Sequence, residues 1–506
     1  MWAEYLNDLM ERIDKSSYPA SLFIGAFFVL LLLVVQCIRW IAKPSKRHDL
    51  PIFPVTSPDV VGALEQAYKE CGENPFLLSF PGMDMAVLPS CEIDTIKALP
   101  ETDVSIKKHH YDVFLGEYTY MGTKADEFDN AMRHVLTRNT PAVLASFTAE
   151  IEYAVNDNIG DCPEWTVITP RRAMSRIASL MSGRAFVGLP LSRDKDWVEA
   201  TVNYTGDVSR AWMVLTPLPK PIRLLVAPWL PQVQSLKRQR RINEEKLAPL
   251  LKAKENSGSA EKKNVPGGDM IDWFISQYGH KPSVKELSRD QLLATFASIY
   301  NLSNALTYVI FDLAAAEPDW VEQMRAEVLE HVGVDGIITK MNLPKLRKLD
   351  SFVKESQRLC PPSLVNIPRI ITNPNGLKLS TGHILPQGMR LTILSHTINL
   401  NPKLYPDPTR FDPFRFSRLR EIPGNELRYQ HATTGIDNIN FGHGIWACPG
   451  RFFASAEIKV MLAYLLMHYE VSLKPGEEKP SQQHFGLAIL PNPTAEVLFR
   501  RRPEGV

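Results

Sequence analysis

The sequence has 506 residues, of which 44% are hydrophobic and 22% charged, and these fractions are typical of a folded protein with a large core. Lysine and arginine (57) almost balance aspartate and glutamate (56), so no overall basic field predicts nucleic-acid binding. The six cysteines are scattered without a CxxC pair, which argues against a secreted disulfide scaffold and favours a reducing compartment.

The N-terminal region predicts a membrane anchor. Residues 18–38 are almost wholly apolar, and about twenty helical residues span a bilayer core. Acidic residues lie before this segment and basic residues follow it, so the positive-inside rule places the rest of the chain in the cytoplasm. The acidic leader and the lack of a small-residue cleavage site argue against a cleaved signal peptide. The predicted parts are a lumenal segment (1–17), a transmembrane anchor (18–41), a proline-rich linker (42–60) and one large domain (61–506).

Helical patterns dominate that large domain. Apolar residues recur at spacings of three and four, for example from Phe453 to Met467, whereas the clearest strand-like stretches are residues 77–88 and 377–394. A polar stretch at residues 252–269, rich in Lys, Gly and Ser, predicts a surface loop between two helices. The predicted fold class is therefore mainly α with small β-sheets.

Residues 441–451, FGHGIWACPGR, carry the strongest chemical signal. Their glycines allow tight turns and a close approach to a flat ligand, and Pro449 suits the first turn of the helix that follows. A cysteine just before a helix lies where backbone N–H groups and the helix dipole stabilise a thiolate, the form that an iron centre binds. Cys448 is therefore the predicted metal ligand, and an inert buried cysteine is the alternative. The predicted cofactor-binding residues of the loop are Phe441, Gly442, Gly444, Trp446 and Gly450.

This loop resembles the haem-binding loop of cytochromes P450, and the run CPGRFFA is similar to that of filamentous-fungal microsomal P450 monooxygenases of secondary metabolism. The resemblance implies the cytochrome P450 fold, with haem b between a long distal helix and the helix after Cys448. The sequence contains no GxGxxG before a helix and no P-loop, so electrons are expected from a separate protein. The family implies that this partner is NADPH-cytochrome P450 reductase.

Two further motifs occur in the family's order. Glu355 and Arg358 in KLDSFVKESQRLCPP share one helix face, and PDPTRFDPFRF follows with Arg415. The resemblance implies that these three residues form a buried salt-bridge triad, which keeps the cysteine loop in register. It also implies haem-propionate contacts for three other basic residues, each of which is equally explained as a surface charge: Arg369, His134 and Arg138.

Residues 291–320 look like the distal helix, but they depart from the family pattern. Where the family usually has an acid or histidine followed by threonine, this chain has Tyr300 and Asn301. A carboxamide cannot titrate, so Tyr300, Asn301, Ser303 or a water chain would have to manage protons. Trp446 is a second departure, because the family usually has an arginine or histidine there that contacts a propionate.

The resemblance implies a haem-thiolate monooxygenase of the endoplasmic-reticulum membrane. Its expected substrate is a hydrophobic small molecule, such as a fungal terpenoid, alkaloid or polyketide. Two alternatives follow from the distal departures. The first is a P450 that performs oxidative coupling, desaturation or rearrangement without oxygen insertion, and the second is a haem-binding protein without turnover.

Overall fold

The computed structural model describes residues 49–55, 59–80, 83–122, 126–256, 268–333 and 335–503. Among these residues, no helix is both long enough and apolar enough to cross a bilayer. The predicted lumenal segment and anchor, residues 1–41, lie outside the described residues, as does part of the predicted linker. The anchor therefore stays a prediction from the sequence.

Helices make up most of the described chain, as the sequence predicts. Short 3-10 turns and one π-helical segment, Ala131–Leu136, lie between them. The α-helices are α1 (Val60–Cys71), α2 (Ile93–Ile96), α3 (Ile106–Val113), α4 (Gly116–Thr119), α5 (Asp126–Asn130), α6 (Thr140–Asn158), α7 (Pro170–Val187), α8 (Lys195–Leu215), α9 (Lys220–Val226), α10 (Pro231–Asn256), α11 (Met270–Ile275), α12 (Val284–Ala314), α13 (Pro318–His331), α14 (Arg347–Leu359), α15 (Ser395–Asn399), α16 (Arg415–Glu421) and α17 (Arg451–His468).

The strands of the described residues form four small sheets. Their order is β1-β2-β3-β9-β6-β4 in the largest sheet and β10-β13-β5 in the second, with two-stranded pairs β11-β12 and β7-β8. The strands are β1 (Ile52–Pro54), β2 (Phe76–Phe80), β3 (Met83–Leu88), β4 (Val104–Ser105), β5 (Thr166–Ile168), β6 (Asn366–Ile371), β7 (Leu377–Lys378), β8 (Ile384–Leu385), β9 (Arg390–Ile393), β10 (Tyr469–Ser472), β11 (Gln482–Phe485), β12 (Ala488–Pro491) and β13 (Val497–Arg501).

Both strand regions predicted from the sequence are confirmed. Residues 77–88 contribute to the antiparallel pair β2-β3, and residues 377–394 form β7, β8 and β9. Gly382 and Gly388 lie in the turns between these strands with φ values of 88° and 84°, a backbone conformation that glycine adopts readily. The predicted loop at residues 252–269 lies between α10 and α11, and its residues 257–267 are outside the described part.

The long helix α12 lies at the centre of the helical layers. Ser283 and Glu286 form a capping box at its first turn, because each side chain accepts a hydrogen bond from the other residue's backbone N–H. The helix packs against α7, α8, α10, α14 and α17, and much of its length is buried in the largest hydrophobic core. The predicted distal helix therefore contacts the helix that begins just after Cys448.

Candidate active site

The loop before α17 is held by its own backbone. The N–H of Cys448 donates to the carbonyl of Phe441 at 2.7 Å. Gly442 and Gly444 have φ values of 70° and 75°, which lie in the left-handed region. A Cβ on Gly444 would also overlap the carbonyl oxygen of Lys97. Glycine is therefore required at positions 442 and 444 by conformation, and at 444 by space as well.

The sulfur of Cys448 lies beside the first turn of α17 and is half-buried. Burial raises the pKa of the thiol, while the backbone N–H groups of Gly450 and Arg451 and the charges of Arg451 and Arg133 lower it. A bound metal ion replaces the thiol proton, so donors directed at the sulfur are what a thiolate ligand needs. The loop therefore provides the predicted environment for a metal-binding thiolate.

Trp446 and Arg133 tie the cysteine loop to its surroundings. The indole N–H of Trp446 donates to the carbonyl of Leu99 at 2.9 Å. The Arg133 guanidinium lies 4.7 Å from the centre of the indole ring and also donates to the carbonyl of Ile445. The single donor of the indole is thus used inside the protein. Arg133 therefore brings a positive charge next to Trp446, the position at which the family usually has an arginine or a histidine.

Of the three basic residues predicted to face propionates, only Arg369 is buried. It lies on β6, is 1% exposed, and donates from Nη1 to the carbonyl of Pro368 at 2.8 Å, whereas its Nε atom has no partner among the described residues. Burial lowers the pKa of Arg369 to about 10; the charge of Glu101 opposes this shift and the charge of Arg133 adds to it. His134 and Arg138 are exposed, so the structure does not bring them together with Arg369.

The three residues of the predicted triad form one buried network. Arg358 donates from Nε and Nη2 to the two oxygens of Glu355 at 2.8 and 2.7 Å, and Arg415 donates from Nε to the same carboxylate at 3.2 Å. Glu355 is completely buried. Arg358 also donates to the carbonyls of Asn399 and Pro408 at 2.7 and 2.6 Å. The network therefore joins α14 to the segment that precedes α16.

The predicted distal residues lie on different faces of α12. Asn301 is exposed together with Ala297, one turn earlier, and its amide donates to the Ala297 carbonyl at 3.4 Å. Ser303 is buried and accepts a hydrogen bond from Arg171 of α7 at 2.9 Å. Burial raises the pKa of Tyr300, and the charge of Arg171 opposes this shift. Tyr300 and Ser303 therefore face α7, whereas Asn301 faces open space.

A family model described as Cytochrome P450 matches residues 140–499 of the chain. The chain belongs to the cytochrome P450 family. It is 58% identical to the cytochrome P450 monooxygenase ataF of Aspergillus terreus, over 97% of each chain. It is 55% identical to the cytochrome P450 monooxygenase gliF of Aspergillus fumigatus, over 96% of this chain and 98% of the other. The solved structure "Retinoic acid bound cyanobacterial CYP120A1" matches with a TM-score of 0.65 at 18% identity, over 87% of this chain and 94% of that one, and shows the shared fold.

These relationships make this P450 a haem-thiolate monooxygenase, with haem b as its cofactor. The predicted family, fold class, enzyme class and cofactor are confirmed. The alternative of a haem-binding protein without turnover is not supported by these relatives, both of which are named as monooxygenases.

Two basic side chains and the residue before α17 fit the binding of a haem. Neither Arg369 nor Arg133 forms an ion pair with an acidic residue among the described residues, so their positive charges are not neutralised by a carboxylate there. A Cβ on Gly450 would meet only the sulfur of Cys448, at 4.0 Å, which leaves room for a flat ring.

Arg133 is the functional candidate that the sequence analysis missed. Arg133 directly precedes His134 and lies in the π-helical segment Ala131–Leu136. The hydrogen bonds of a π-helix join residues five apart, whereas those of an α-helix join residues four apart. Residues three or four apart, which share one face of an α-helix, therefore point in different directions in this segment. The only sequence signal was the presence of a third basic residue within the stretch AMRHVLTRN.

Phe441, the first residue of the loop, packs edge-on against His431 at 5.2 Å.

Proposed function

We propose that Cys448 binds haem b through its thiolate and that this P450 oxidises a hydrophobic small molecule, such as a fungal terpenoid, alkaloid or polyketide. The observation that carries the proposal is the position of the Cys448 sulfur, which receives the first N–H groups of α17 at the end of a glycine-dependent loop. Bound haem supplies the reductive activation of dioxygen and the attack on a substrate C–H bond. The protein's own share is to hold the sulfur, orient the ring and place the substrate.

Two sets of side chains would position the ring in this proposal. Arg369 and Arg133 would donate charge-assisted hydrogen bonds to the propionates, because neither has an acidic partner. Glu355, Arg358 and Arg415 act at a distance from the ring. Their buried network fixes the chain segment that leads to the cysteine loop, so we assign them a positioning role.

The distal face supports a second candidate outcome. Asn301 is the exposed polar residue at the position of the usual threonine, and a carboxamide can orient water but cannot supply a proton. Tyr300 and Ser303 are turned toward Arg171 and would act only through intervening water. Desaturation, rearrangement or oxidative coupling, which need a different supply of protons, is therefore the second candidate beside oxygen insertion.

We also propose that electrons come from NADPH-cytochrome P450 reductase and that residues 18–41 anchor the protein in the endoplasmic-reticulum membrane. Two sequence features support this. The chain has no nucleotide-binding motif of its own, and the apolar span is followed by basic residues. Expression of the full chain and of a chain lacking residues 1–41, followed by membrane fractionation, tests the anchor. Equal membrane retention of both proteins would contradict it.

The experiment for the reaction uses the full chain in vesicles with the reductase, NADPH and a panel of terpenoids, alkaloids and polyketides. Compounds that change the Soret band of the resting protein are assayed for consumption, with Cys448→Ser as the control variant. We expect consumption that depends on dioxygen, reductase and Cys448. Product mass then separates insertion of one oxygen atom from loss of two hydrogens. No consumption of any compound that binds would contradict the proposal.

A further inference from the structure

Three polar side chains with unpartnered atoms lie on β9, α3 and α4. The buried atoms without a hydrogen-bond partner in the described chain include Nε of Arg390, Nδ1 of His109 and the hydroxyl of Tyr118. Buried polar atoms are almost always paired in folded proteins. A cluster of donors that the protein itself leaves unpaired indicates a site for a ligand.

Arg390 is the central member of this cluster. It lies at the start of β9 and forms no hydrogen bond or ion pair within the described residues. Arg390 is half-buried and its Nε atom is buried without a partner, whereas the buried residues Arg358 and Arg325 bind Glu355 and, at 2.9 Å, the carbonyl of Leu466. Burial lowers the pKa of Arg390, and the more distant charges of two aspartates oppose this shift. The guanidinium is therefore charged and its donors are available.

A second cation is held in place nearby. Arg223 of α9 donates from Nε to the carbonyl of Leu218 at 2.6 Å and from Nη2 to that of Thr216 at 2.7 Å. Burial and the charge of Arg390 lower its pKa, whereas Tyr118 raises it, so the three side chains lie within electrostatic range of one another. The backbone of the loop between α8 and α9 thus holds the Arg223 guanidinium in place.

His109 brings the cluster next to the distal helix. It is 5% exposed on α3, and its pKa is lowered well below the usual value by burial and then by the charges of His110, Arg390 and Arg369, so the ring is neutral. The same stretch of chain continues to Phe114, whose ring packs edge-on against Phe296 of α12 at 5.2 Å. An apolar contact with α12 therefore follows five residues after His109 in the chain.

Arg390 points away from Arg369, the predicted propionate contact on the neighbouring strand. In the pair β6-β9, Arg369 is opposite Leu391, and Ile370 is opposite Arg390. Successive residues of a strand point to opposite faces of a sheet. Arg390 therefore points to the other face from Arg369, so a propionate held by Arg369 leaves Arg390 available.

We infer that Arg390, with Arg223, His109 and Tyr118, binds a hydrogen-bond-accepting oxygen of the substrate, carried by a carbonyl or a carboxylate group. The apolar part of the substrate then extends past Phe114 toward α12. This inference rests on the proposed function only in taking the ligand to be the substrate. It narrows the substrate class from hydrophobic molecules in general to those with such an oxygen at one end.

The test is a spectral titration of the haem-loaded full chain with three probes of equal chain length: dodecanoate, dodecanamide and dodecane. A shift of the Soret band on binding gives a dissociation constant for each probe without turnover. The variants are Arg390→Met, which removes the charge and the donors, and Arg390→Lys, which keeps the charge. Arg172→Met is the matched control, because Arg172 is exposed on α7.

We expect the unmodified protein and Arg172→Met to bind dodecanoate and dodecanamide at least about tenfold more tightly than dodecane. Arg390→Met should abolish this preference and leave the affinity for dodecane unchanged. Arg390→Lys should keep most of the preference for dodecanoate and lose that for dodecanamide, because lysine supplies a point charge without the planar fork.

Two results would overturn the inference. The first is a protein that binds dodecanoate and dodecanamide no better than dodecane, including one that binds none of the three. The second is an Arg390→Met variant that keeps the preference for dodecanoate and dodecanamide; equal weakening of all three probes would then assign Arg390 to packing. The titration needs neither reductase nor NADPH. Failure of the proposed function would appear instead as absence of product in the reductase assay, with the probe preference intact.

Discussion

Replacing Glu355 with glutamine removes the only negative charge from a buried network that contains two guanidinium groups. The Glu355 carboxylate accepts hydrogen bonds from Arg358 at 2.8 and 2.7 Å and from Arg415 at 3.2 Å, and it is fully buried. Breaking a buried ion pair costs about 3–5 kcal/mol, because the remaining charges keep their desolvation cost. The carbonyls that also accept from Arg358 remain, so we expect a loss near the lower end, about 3 kcal/mol.

The assay is urea unfolding of the haem-loaded protein, followed by Soret absorbance and tryptophan fluorescence in parallel. We expect Glu355→Gln to unfold and release haem at a lower urea concentration than the unmodified protein. Glu245→Gln is the control, because Glu245 forms an ion pair with Arg241 at the exposed surface, where such pairs contribute little. An unchanged midpoint for Glu355→Gln would refute the argument that charge holds this network together.

Three further substitutions test the loop and the distal helix. Arg133→Met should speed haem transfer to apomyoglobin by about tenfold or more through loss of a charge-assisted bond, whereas exposed Arg138→Met should not, and equal rates would contradict this role. Asn301→Thr should lower peroxide release per NADPH, and unchanged product and coupling would sink the proposed role of Asn301. Gly444→Ala should lower the yield of haem-loaded protein because its Cβ overlaps the Lys97 carbonyl, and a normal yield would contradict the loop geometry.

The chemistry of the cysteine loop could be predicted from the sequence because it is local. Gly442 and Gly444 occupy backbone conformations that glycine favours, and the helix after Cys448 begins where Pro449 and the apolar pattern place it. The mainly α fold follows from the same kind of periodicity. The pairing of Glu355 with Arg358 follows from their spacing of three on α14.

The other basic contacts depend on features that no residue pattern revealed. His134 and Arg138 are four residues apart and would share one face of an α-helix, but residues 131–136 are π-helical, and it is Arg133 that contacts the loop. The charge that Trp446 lacks is therefore brought by a residue from a distant part of the chain. Such a contact exists only in the folded structure.

In the distal helix, the helical period predicts which residues share a face but not which residues of other helices they contact. At about 100° per residue, Asn301 and Ser303 must lie on nearly opposite sides of a helix, so their separation could have been predicted from sequence. The hydrogen-bond partner of Ser303 could not have been predicted in this way. Arg171 lies 132 residues away in the chain, and its hydrogen bond to Ser303 depends on how α7 packs against α12.

The most direct test of the central claim is the absorption spectrum of the reduced, carbon-monoxide-bound protein, measured for the unmodified chain and for Cys448→Ala. If Cys448 is the thiolate ligand, the unmodified protein shows the thiolate-type Soret shift and the variant loses it. Cys360→Ala serves as the control, because burial raises the pKa of the Cys360 thiol to about 12 and it should leave the spectrum unchanged. A thiolate-type spectrum in Cys448→Ala, or its absence from the unmodified haem-loaded protein, would contradict the assignment.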